Sequence, residues 1–129
     1  MSQQKTIINT DQAPAAIGPY NQAVKVEKTL YVSGQIPLVA ETMELISTGV
    51  KDETHQVLKN IGAILSQAGY DYSDVVKTSI FLSSMDYFST VNEVYAEYFK
   101  ENQPARECVA VKTLPKEVNV EISVIAWKA

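Results

Sequence analysis

The spacing of apolar residues changes along the chain and separates predicted strands from predicted helices. Asn21–Glu27 and Thr29–Gln35 are rich in Val, Leu and Tyr and meet at Lys28, which predicts a β-hairpin. From Asp52 onward the apolar residues recur on one helical face, and Gly69 supplies a helix stop. The period therefore switches from strand to helix near the middle of the chain.

A further strand and helix follow, and two strand-like runs close the chain. Val75–Leu82 is rich in β-branched residues and predicts a central strand. Ser84 or Asp86 then caps a helix that ends before Pro104, and the two last runs lie within Pro104–Trp127. The apolar stripe of this helix comprises Phe88, Val91, Val94, Tyr95, Tyr98 and Phe99.

Three shorter segments complete the predicted order. Lys5–Ile8 predicts a short edge strand. Asp11–Tyr20 contains two prolines and Gly18, which exclude a helix interior and a central strand and so predict an ordered loop. Pro37–Val50 is turn-rich, and we expect it to be irregular.

This order predicts one α+β domain spanning residues 1–129. Two helices can cover only one face of the mostly antiparallel or mixed six-stranded sheet. The last strand nevertheless carries apolar side chains on both faces, with Ile122 and Val124 on one and Ile125 and Trp127 on the other. Because an uncovered apolar face needs a partner, we expect a homo-oligomer.

Composition and charge narrow the class of protein. With 46% hydrophobic and 20% charged residues, the composition is that of a globular protein. A net charge of −4 and scattered Lys and Arg residues disfavour a nucleic-acid surface. Met1–Lys5 lacks the apolar run of an export signal, and no run approaches the roughly 18–20 apolar residues that span a membrane. We therefore expect a cytoplasmic protein without membrane contact.

Arg106 and Cys108 are candidates for chemistry that share one face of a strand. Pro104 and Ala105 form a stiff lead-in that would hold the guanidinium for bidentate capture of a carboxylate or phosphate. The alternative is an exposed arginine paired with an acidic residue. Cys108 is either a small buried hydrophobe or a thiol beside a site. A Cys–His dyad is disfavoured, since no motif links Cys108 to His55, which we expect to be exposed.

Glu121 is a carboxylate within an otherwise apolar strand. If its face is covered, desolvation raises its pKa toward the range useful for proton transfer; the alternative is an exposed position. In a simple hairpin with Thr113 opposite Asn119, Arg106 and Glu121 would lie about 17 Å apart. They would not share one substrate, so either the last two strands are not neighbours or another chain helps to build the site.

Asn92 is a polar exception beside the stripe of the second helix. It is either an amide bonded to a nearby loop or a residue of the site. The chain has one His and one Cys and lacks HExxH, CxxC, GxGxxG and P-loop motifs, which excludes the usual zinc and phosphate patterns.

Several motifs together resemble the RidA (YjgF) family of reactive-intermediate deaminases, in collinear order from about Asn9 to Ala126. They are Ala15-Ala-Ile-Gly-Pro-Tyr20, Val32-Ser-Gly-Gln-Ile-Pro37, Thr90-Val-Asn92, Pro104-Ala-Arg106 with Cys108-Val109, and Leu114-Pro-Lys116 followed by Val120-Glu-Ile122. The resemblance implies a chorismate-mutase-like fold and a homotrimer with sites between subunits. It also implies hydrolysis of 2-imino acids and enamines, such as 2-iminobutanoate and 2-aminoacrylate, to 2-keto acids and ammonia without a cofactor or metal.

The resemblance also assigns roles to matching residues. Arg106 would bind the substrate carboxylate, and Glu121 would position or activate the attacking water. The backbone at Gly34 and Cys108 would help to hold the substrate, and the remaining wall residues would be Tyr20, Ser33, Phe88 and Asn92.

The sequence departs from the family pattern at Glu107, Ala110 and Lys112–Thr113. The added carboxylate beside Arg106 bears on substrate preference and rate. Two other functions stay open: a non-catalytic trimer that binds small carboxylates as a regulator, and an RNA-cleaving translation inhibitor, a role attached to some family members. The acidic pI disfavours the latter.

Overall fold

The computed structural model describes residues 4–129 as a six-stranded mixed sheet with two α-helices on one face, which confirms the expected α+β architecture. Residues 1–3, which belong to the stretch expected to lack an export signal, lie outside the described residues. In chain order the elements are β1 (Thr6–Ile8), β2 (Ala23–Val26), β3 (Thr29–Gln35), α1 (Val50–Gln67), β4 (Val75–Leu82), α2 (Phe88–Tyr98), β5 (Ala105–Ala110) and β6 (Val120–Trp127).

The N-terminal half of the sheet is antiparallel. The predicted hairpin forms from β2 and β3, although β2 begins at Ala23, two residues later than expected. Glu27 turns the chain with a left-handed φ of 53°. As expected, β1 pairs with β2 at the edge of the sheet, and the segment before α1 is irregular apart from a bridge between Leu38 and Leu45.

The C-terminal half explains why the last two strands are not hairpin neighbours. The order across the sheet is β1-β2-β3-β6-β4-β5, so β4 separates β5 from β6. β4 pairs with β5 in parallel through the α2 crossover and with β6 in antiparallel orientation. The predicted central position of β4 is therefore confirmed, and β5 lies at the other edge.

The two helices form where apolar spacing and end signals coincide. α1 begins at Val50, slightly before the predicted Asp52, and Gly69 follows it with a φ of 84° that favours glycine. Ser84 caps the turn that leads into α2, because its Oγ accepts a hydrogen bond from the Asp86 backbone N–H at 3.0 Å. Leucine and isoleucine side chains of α1 are buried completely against the sheet.

One expectation about α1 is wrong. His55 is half-buried, because Nδ1 lies 2.8 Å from the Tyr98 hydroxyl of α2 and the two rings pack at 5.7 Å between centroids. The sequence placed His55 away from the apolar stripe of α1, but the neighbouring helix covers it.

The two faces of the sheet differ in cover. On the helix face, Ile122 and Val124 of β6 are fully buried. The opposite face, here called the open face, leaves Tyr31 and Trp127 about half exposed, at 50% and 48%. Among residues 4–129 no helix combines the length and apolar composition that crossing a membrane requires.

Candidate active site

The residues expected to form one site fall into two groups on opposite faces of the sheet. The first, called the Arg106 cluster, lies on the helix face at the β5 edge. The second, called the Glu121 cavity, lies beside β3 and β6, and Glu121 reaches it from the open face. The cluster comprises Phe88, Asn92, Tyr95, Arg106 and Cys108, and the cavity includes Tyr20, Ser33, Gly34, Lys116 and Glu121.

Arg106 is held between an amide and two aromatic rings. Its Nη1 donates a hydrogen bond of 2.8 Å to Asn92 Oδ1 on α2. Its guanidinium carbon lies 5.0 Å from the Tyr95 ring centroid and 5.7 Å from that of Phe88. These contacts orient a cation that no carboxylate of residues 4–129 neutralises at ion-pair distance. The surface ion pair considered from the sequence is therefore not formed.

Tyr95 supports Arg106 from below, a role that its place in the apolar stripe concealed. Its ring is 5% exposed, and its hydroxyl lies 2.9 Å from Oγ1 of the fully buried Thr78 on β4. Burial raises the pKa of Tyr95 despite the opposing influence of Arg106, so the ring stays neutral. The sequence did contain a sign that Tyr95 lies beside Asn92: residues three apart in a helix share one face.

Cys108 lies two residues after Arg106 on the same face of β5 and packs partly against the core. Burial raises the pKa of its thiol, and the guanidinium of Arg106 opposes this only in part. The neutral thiol is the dominant form near neutral pH, which disfavours a nucleophilic role. Cys108 therefore contributes packing to the Arg106 cluster.

Glu107, one of the departures from the family pattern, points away from Arg106. Ser79 Oγ donates a 3.0 Å hydrogen bond to Glu107 Oε2, and Lys77 Nζ lies 3.7 Å from Oε1. These partners lie on the open face, because successive residues of β5 alternate between faces. Glu107 therefore does not compete with a substrate for the guanidinium.

The Glu121 cavity has a volume of about 620 Å³ and is walled by three separate segments. The loop ending at Tyr20 forms one side, the end of β3 forms the floor, and the turn at Pro115 and Lys116 forms the other side. The cavity brings together Tyr20, Ser33, Gly34 and Glu121, four residues singled out from the sequence.

Gly34 allows the Glu121 carboxylate to occupy its position. A Cβ placed on Gly34 would overlap Glu121 Oε2 and lie 2.9 Å from Cδ. The register between β3 and β6 shifts between Val32 and Gln35, which bends the chain at this point. Glycine at this position permits the close approach, because any side chain would require the Glu121 carboxylate to move.

Burial raises the pKa of Glu121 above its ordinary value. Desolvation is the cause, and neither a charge nor a hydrogen bond from the described residues offsets it. The covered position considered from the sequence is the correct one. A carboxyl group with a raised pKa gives up and takes back a proton more readily near neutral pH.

The loop that carries Tyr20 is ordered by Gln22, a residue that the sequence interpretation missed. Gln22 is 2% exposed, and its Nε2 donates to the carbonyl oxygens of Ala13 and Pro14 at 3.2 and 2.8 Å. Its Oε1 accepts from the Thr10 backbone N–H at 2.7 Å. A buried amide of this kind replaces the backbone ladder that two prolines prevent.

The two groups of residues do not converge within one chain. Arg106 pairs with Thr78 of β4, whereas Glu121 pairs with Phe81, so they are separated by three residues along β4 and by two strand spacings. This corresponds to about 14 Å between backbone positions, with the side chains on opposite faces. A small molecule bound to a single chain cannot contact the side chains of both Arg106 and Glu121. Within residues 4–129, no three potential metal ligands are grouped together.

Comparisons with known proteins agree with this architecture. The family model described as Endoribonuclease L-PSP matches residues 10–128. A RutC family protein of Pyrococcus horikoshii is 50% identical over 124 residues, covering 96% of this chain and 98% of that protein. The human 2-iminobutanoate/2-iminopropanoate deaminase is 48% identical over 122 residues, covering 95% of this chain and 89% of that protein.

A solved structure extends the likeness to a ligand-bound relative. The crystal structure of E. coli TdcF with bound serine is 41% identical, has a TM-score of 0.91, and covers 96% of this chain and 99% of that chain. The family-model match spans nearly the whole sequence and includes every candidate site residue. The chain therefore belongs to the Endoribonuclease L-PSP family, the RidA (YjgF) family that its motifs resemble.

Proposed function

We propose that the protein is a hydrolytic deaminase that converts 2-imino acids and their enamine tautomers to 2-keto acids and ammonia. The observation that carries the proposal is the desolvated carboxyl group of Glu121, which lies in a cavity and packs so closely on Gly34 that a Cβ there would overlap it. A fixed arginine without an ion-pair partner supplies the complementary anchor for a carboxylate. The human relative named as an imine deaminase supports the same activity.

The proposed reaction needs an anchor, a water and one proton-transfer group. An enamine first takes a proton from solvent at its β-carbon, which gives the iminium ion, the protonated form of the imine. Arg106 holds the α-carboxylate, which fixes the electrophilic C=N carbon beside Glu121. Glu121 accepts a proton from the attacking water as the C–O bond forms, giving a carbinolamine. It then gives that proton to the amino nitrogen and takes the hydroxyl proton of the carbinolamine as the C–N bond breaks, so that the 2-keto acid and ammonia leave and the last proton passes to solvent.

The site is proposed to form between subunits of a homotrimer. Arg106 and Glu121 lie on opposite faces about 14 Å apart, too far for one small substrate. The Arg106 cluster lies at the exposed β5 edge, where another subunit can bring its Glu121 cavity. The half-exposed aromatic residues of the open face supply apolar area for association. Tyr20, Ser33 and Gly34 would come from one subunit, and Phe88, Asn92 and Cys108 from the other.

The activity is tested by following ammonia and keto-acid release from 2-aminoacrylate and 2-iminobutanoate generated in situ by a pyridoxal-phosphate-dependent dehydratase. We expect the protein to accelerate release above the rate in buffer. A rate equal to the buffer rate contradicts the proposal. If calorimetry then detects binding of 2-oxobutanoate without turnover, the non-catalytic regulator becomes the better account.

RNA cleavage is the weaker alternative. The net charge of −4 disfavours binding to a phosphate backbone. His55, the one histidine of the chain, contacts Tyr98 and lies in neither group of site residues. Cleavage of RNA that survives both Arg106→Ala and Glu121→Gln would have its origin outside this site.

A further inference from the structure

We propose that Lys116 forms a second anion subsite in the Glu121 cavity and that the enzyme accepts 2-imino acids with an acidic side chain, such as 2-iminoglutarate. This inference rests on the proposed deaminase function and identifies a substrate class for the same site. In this account Arg106 binds the α-carboxylate, and Lys116 binds the second carboxylate at the far end of the substrate.

A basic residue forms part of the wall of the Glu121 cavity. Lys116 is exposed, and among residues 4–129 no other Lys or Arg lines the cavity with Glu121. No Asp or Glu carboxylate of residues 4–129 lies within 4.0 Å of its ammonium group. No charge, that of Lys116 included, is among the causes of the raised pKa of Glu121, so the ammonium group lies apart from that carboxyl group. A ligand carboxylate in the cavity would therefore meet an uncompensated positive charge.

The backbone holds Lys116 in a costly conformation. Lys116 and Glu117 both adopt left-handed φ values of 55°, at about 1–2 kcal/mol for each residue that has a Cβ. Such conformations persist where the surrounding structure fixes them, and they are frequent at ligand sites. Here the flanking Leu114 and Val118 are 6% and 5% exposed, so the turn is anchored in the protein on both sides.

Further hydrogen bonds fix the same turn. The backbone N–H of Glu117 donates to the Leu114 carbonyl at 2.9 Å. Beyond the turn, Asn119 donates to the buried carboxylate of Glu53 through its backbone N–H at 3.3 Å and Nδ2 at 3.0 Å. A cation on an anchored turn loses less conformational freedom when it binds a ligand than a cation on a mobile loop.

The cavity also has an apolar part. Ile17 and Leu38 line it together with Lys116 and would supply contacts for a methylene chain. A composite site would thus present Arg106 from one subunit and Lys116 from the other. Two cations separated by an apolar stretch match a ligand with two carboxylates.

The test compares hydrolysis of 2-iminoglutarate and 2-iminobutanoate by the wild type and by Lys116→Asn. Asparagine removes the charge but tolerates the left-handed backbone, which protects the fold. We expect the variant to lose about tenfold in kcat/KM on 2-iminoglutarate and less than about twofold on 2-iminobutanoate. Lys116→Arg should recover most of the loss. Lys112→Asn is the matched control, because Lys112 is exposed on the same connection and lines no part of the cavity.

Three results would overturn the inference. One is a wild type that hydrolyses 2-iminobutanoate but not 2-iminoglutarate. Another is an equal loss on both substrates, which would mean that Lys116 acts on the shared α-carboxylate or on Glu121. If the wild type accelerates neither reaction, the proposed function fails. The anion subsite is then tested separately, by calorimetric affinities for 2-oxoglutarate and 2-oxobutanoate. Equal effects of Lys116→Asn on the two affinities would then contradict it, and a selective loss for 2-oxoglutarate would support it.

Discussion

The Arg106 cluster and the Glu121 cavity are built by opposite means. In the cluster, a permanently charged side chain is fixed by an amide and two rings on a regular helix and strand. In the cavity, a desolvated carboxyl group lies among loops and a strand irregularity, with few direct partners. The first arrangement is suited to binding and the second to proton transfer. Under the proposed composite site, the Arg106 cluster and the Glu121 cavity can each be disabled separately.

The largest effect is expected from removing the cation of the Arg106 cluster. Arg106→Ala should lower kcat/KM for 2-iminobutanoate by about a thousandfold, because a desolvated carboxylate–guanidinium pair contributes roughly 2–5 kcal/mol. Steady-state kinetics would measure it, with Lys112→Ala as the surface control. Full activity in Arg106→Ala would contradict the proposal that Arg106 binds the substrate carboxylate.

Removing the carboxyl group of Glu121 should reduce activity slightly less than removing Arg106. Glu121→Gln should lower kcat by about a hundredfold or more with a smaller change in KM, since it removes proton transfer while the anchor stays. An unchanged kcat would contradict this role.

The raised pKa of Glu121 also predicts a stability change with a defined sign. Between the unfolded pKa of glutamic acid and the raised folded pKa, the native state binds more protons, so the free energy of unfolding falls as pH rises. Glu121→Gln should therefore raise the melting temperature at neutral pH, and the gain should shrink below the unfolded pKa. Thermal melts from acidic to neutral pH would measure it. A variant less stable than the wild type at neutral pH would oppose this account.

Gly34→Ala tests the close approach at the floor of the cavity. The added methyl group would displace the Glu121 carboxylate, and we expect kcat to fall by about tenfold to a hundredfold through misplacement. Gly18→Ala is a matched control, because a Cβ at Gly18 makes only ordinary contacts, the nearest being 3.5 Å from Tyr20. Similar kinetics for the two variants would mean that the approach at Gly34 has no functional importance.

The smallest effect is expected from loosening the anchor without removing it. Asn92→Ala removes the 2.8 Å hydrogen bond to Arg106 but leaves the aromatic platform. We expect KM to rise by about threefold to tenfold with kcat nearly unchanged, because hydrogen bonds to charged groups contribute roughly 1.5–3 kcal/mol and the platform retains part of the orientation. A fall in kcat with an unchanged KM would assign Asn92 to the chemical step instead.

The sequence predicted the regular elements because their patterns are local. The stripe of α1 and the β-branched run of β4 each depend on neighbours within the same element. The insertion of β6 between β3 and β4 depends on pairings far apart in sequence, so only the geometric conflict between Arg106 and Glu121 hinted at it.

The candidate site shows the same limit. Arg106 and Glu121 stand out as charges within strands, and the family motifs add Tyr20 and Gly34. Tyr95 escaped notice because a ring in an apolar stripe looks like core, although it lies under a guanidinium. Lys116 and Gln22 were missed because their importance comes from a loop conformation and a buried amide that no periodicity encodes.

Hybrid oligomers distinguish a site shared between subunits, with Arg106 from one and Glu121 from another, from a site within one chain. Arg106→Ala and Glu121→Gln chains with different affinity tags would be co-expressed, and oligomers carrying both tags would be isolated. In a cyclic trimer of mixed composition, one of the three interfaces combines an intact Arg106 with an intact Glu121. Such a trimer should therefore have about one third of the wild-type activity. Doubly tagged oligomers no more active than either parent would contradict the shared site.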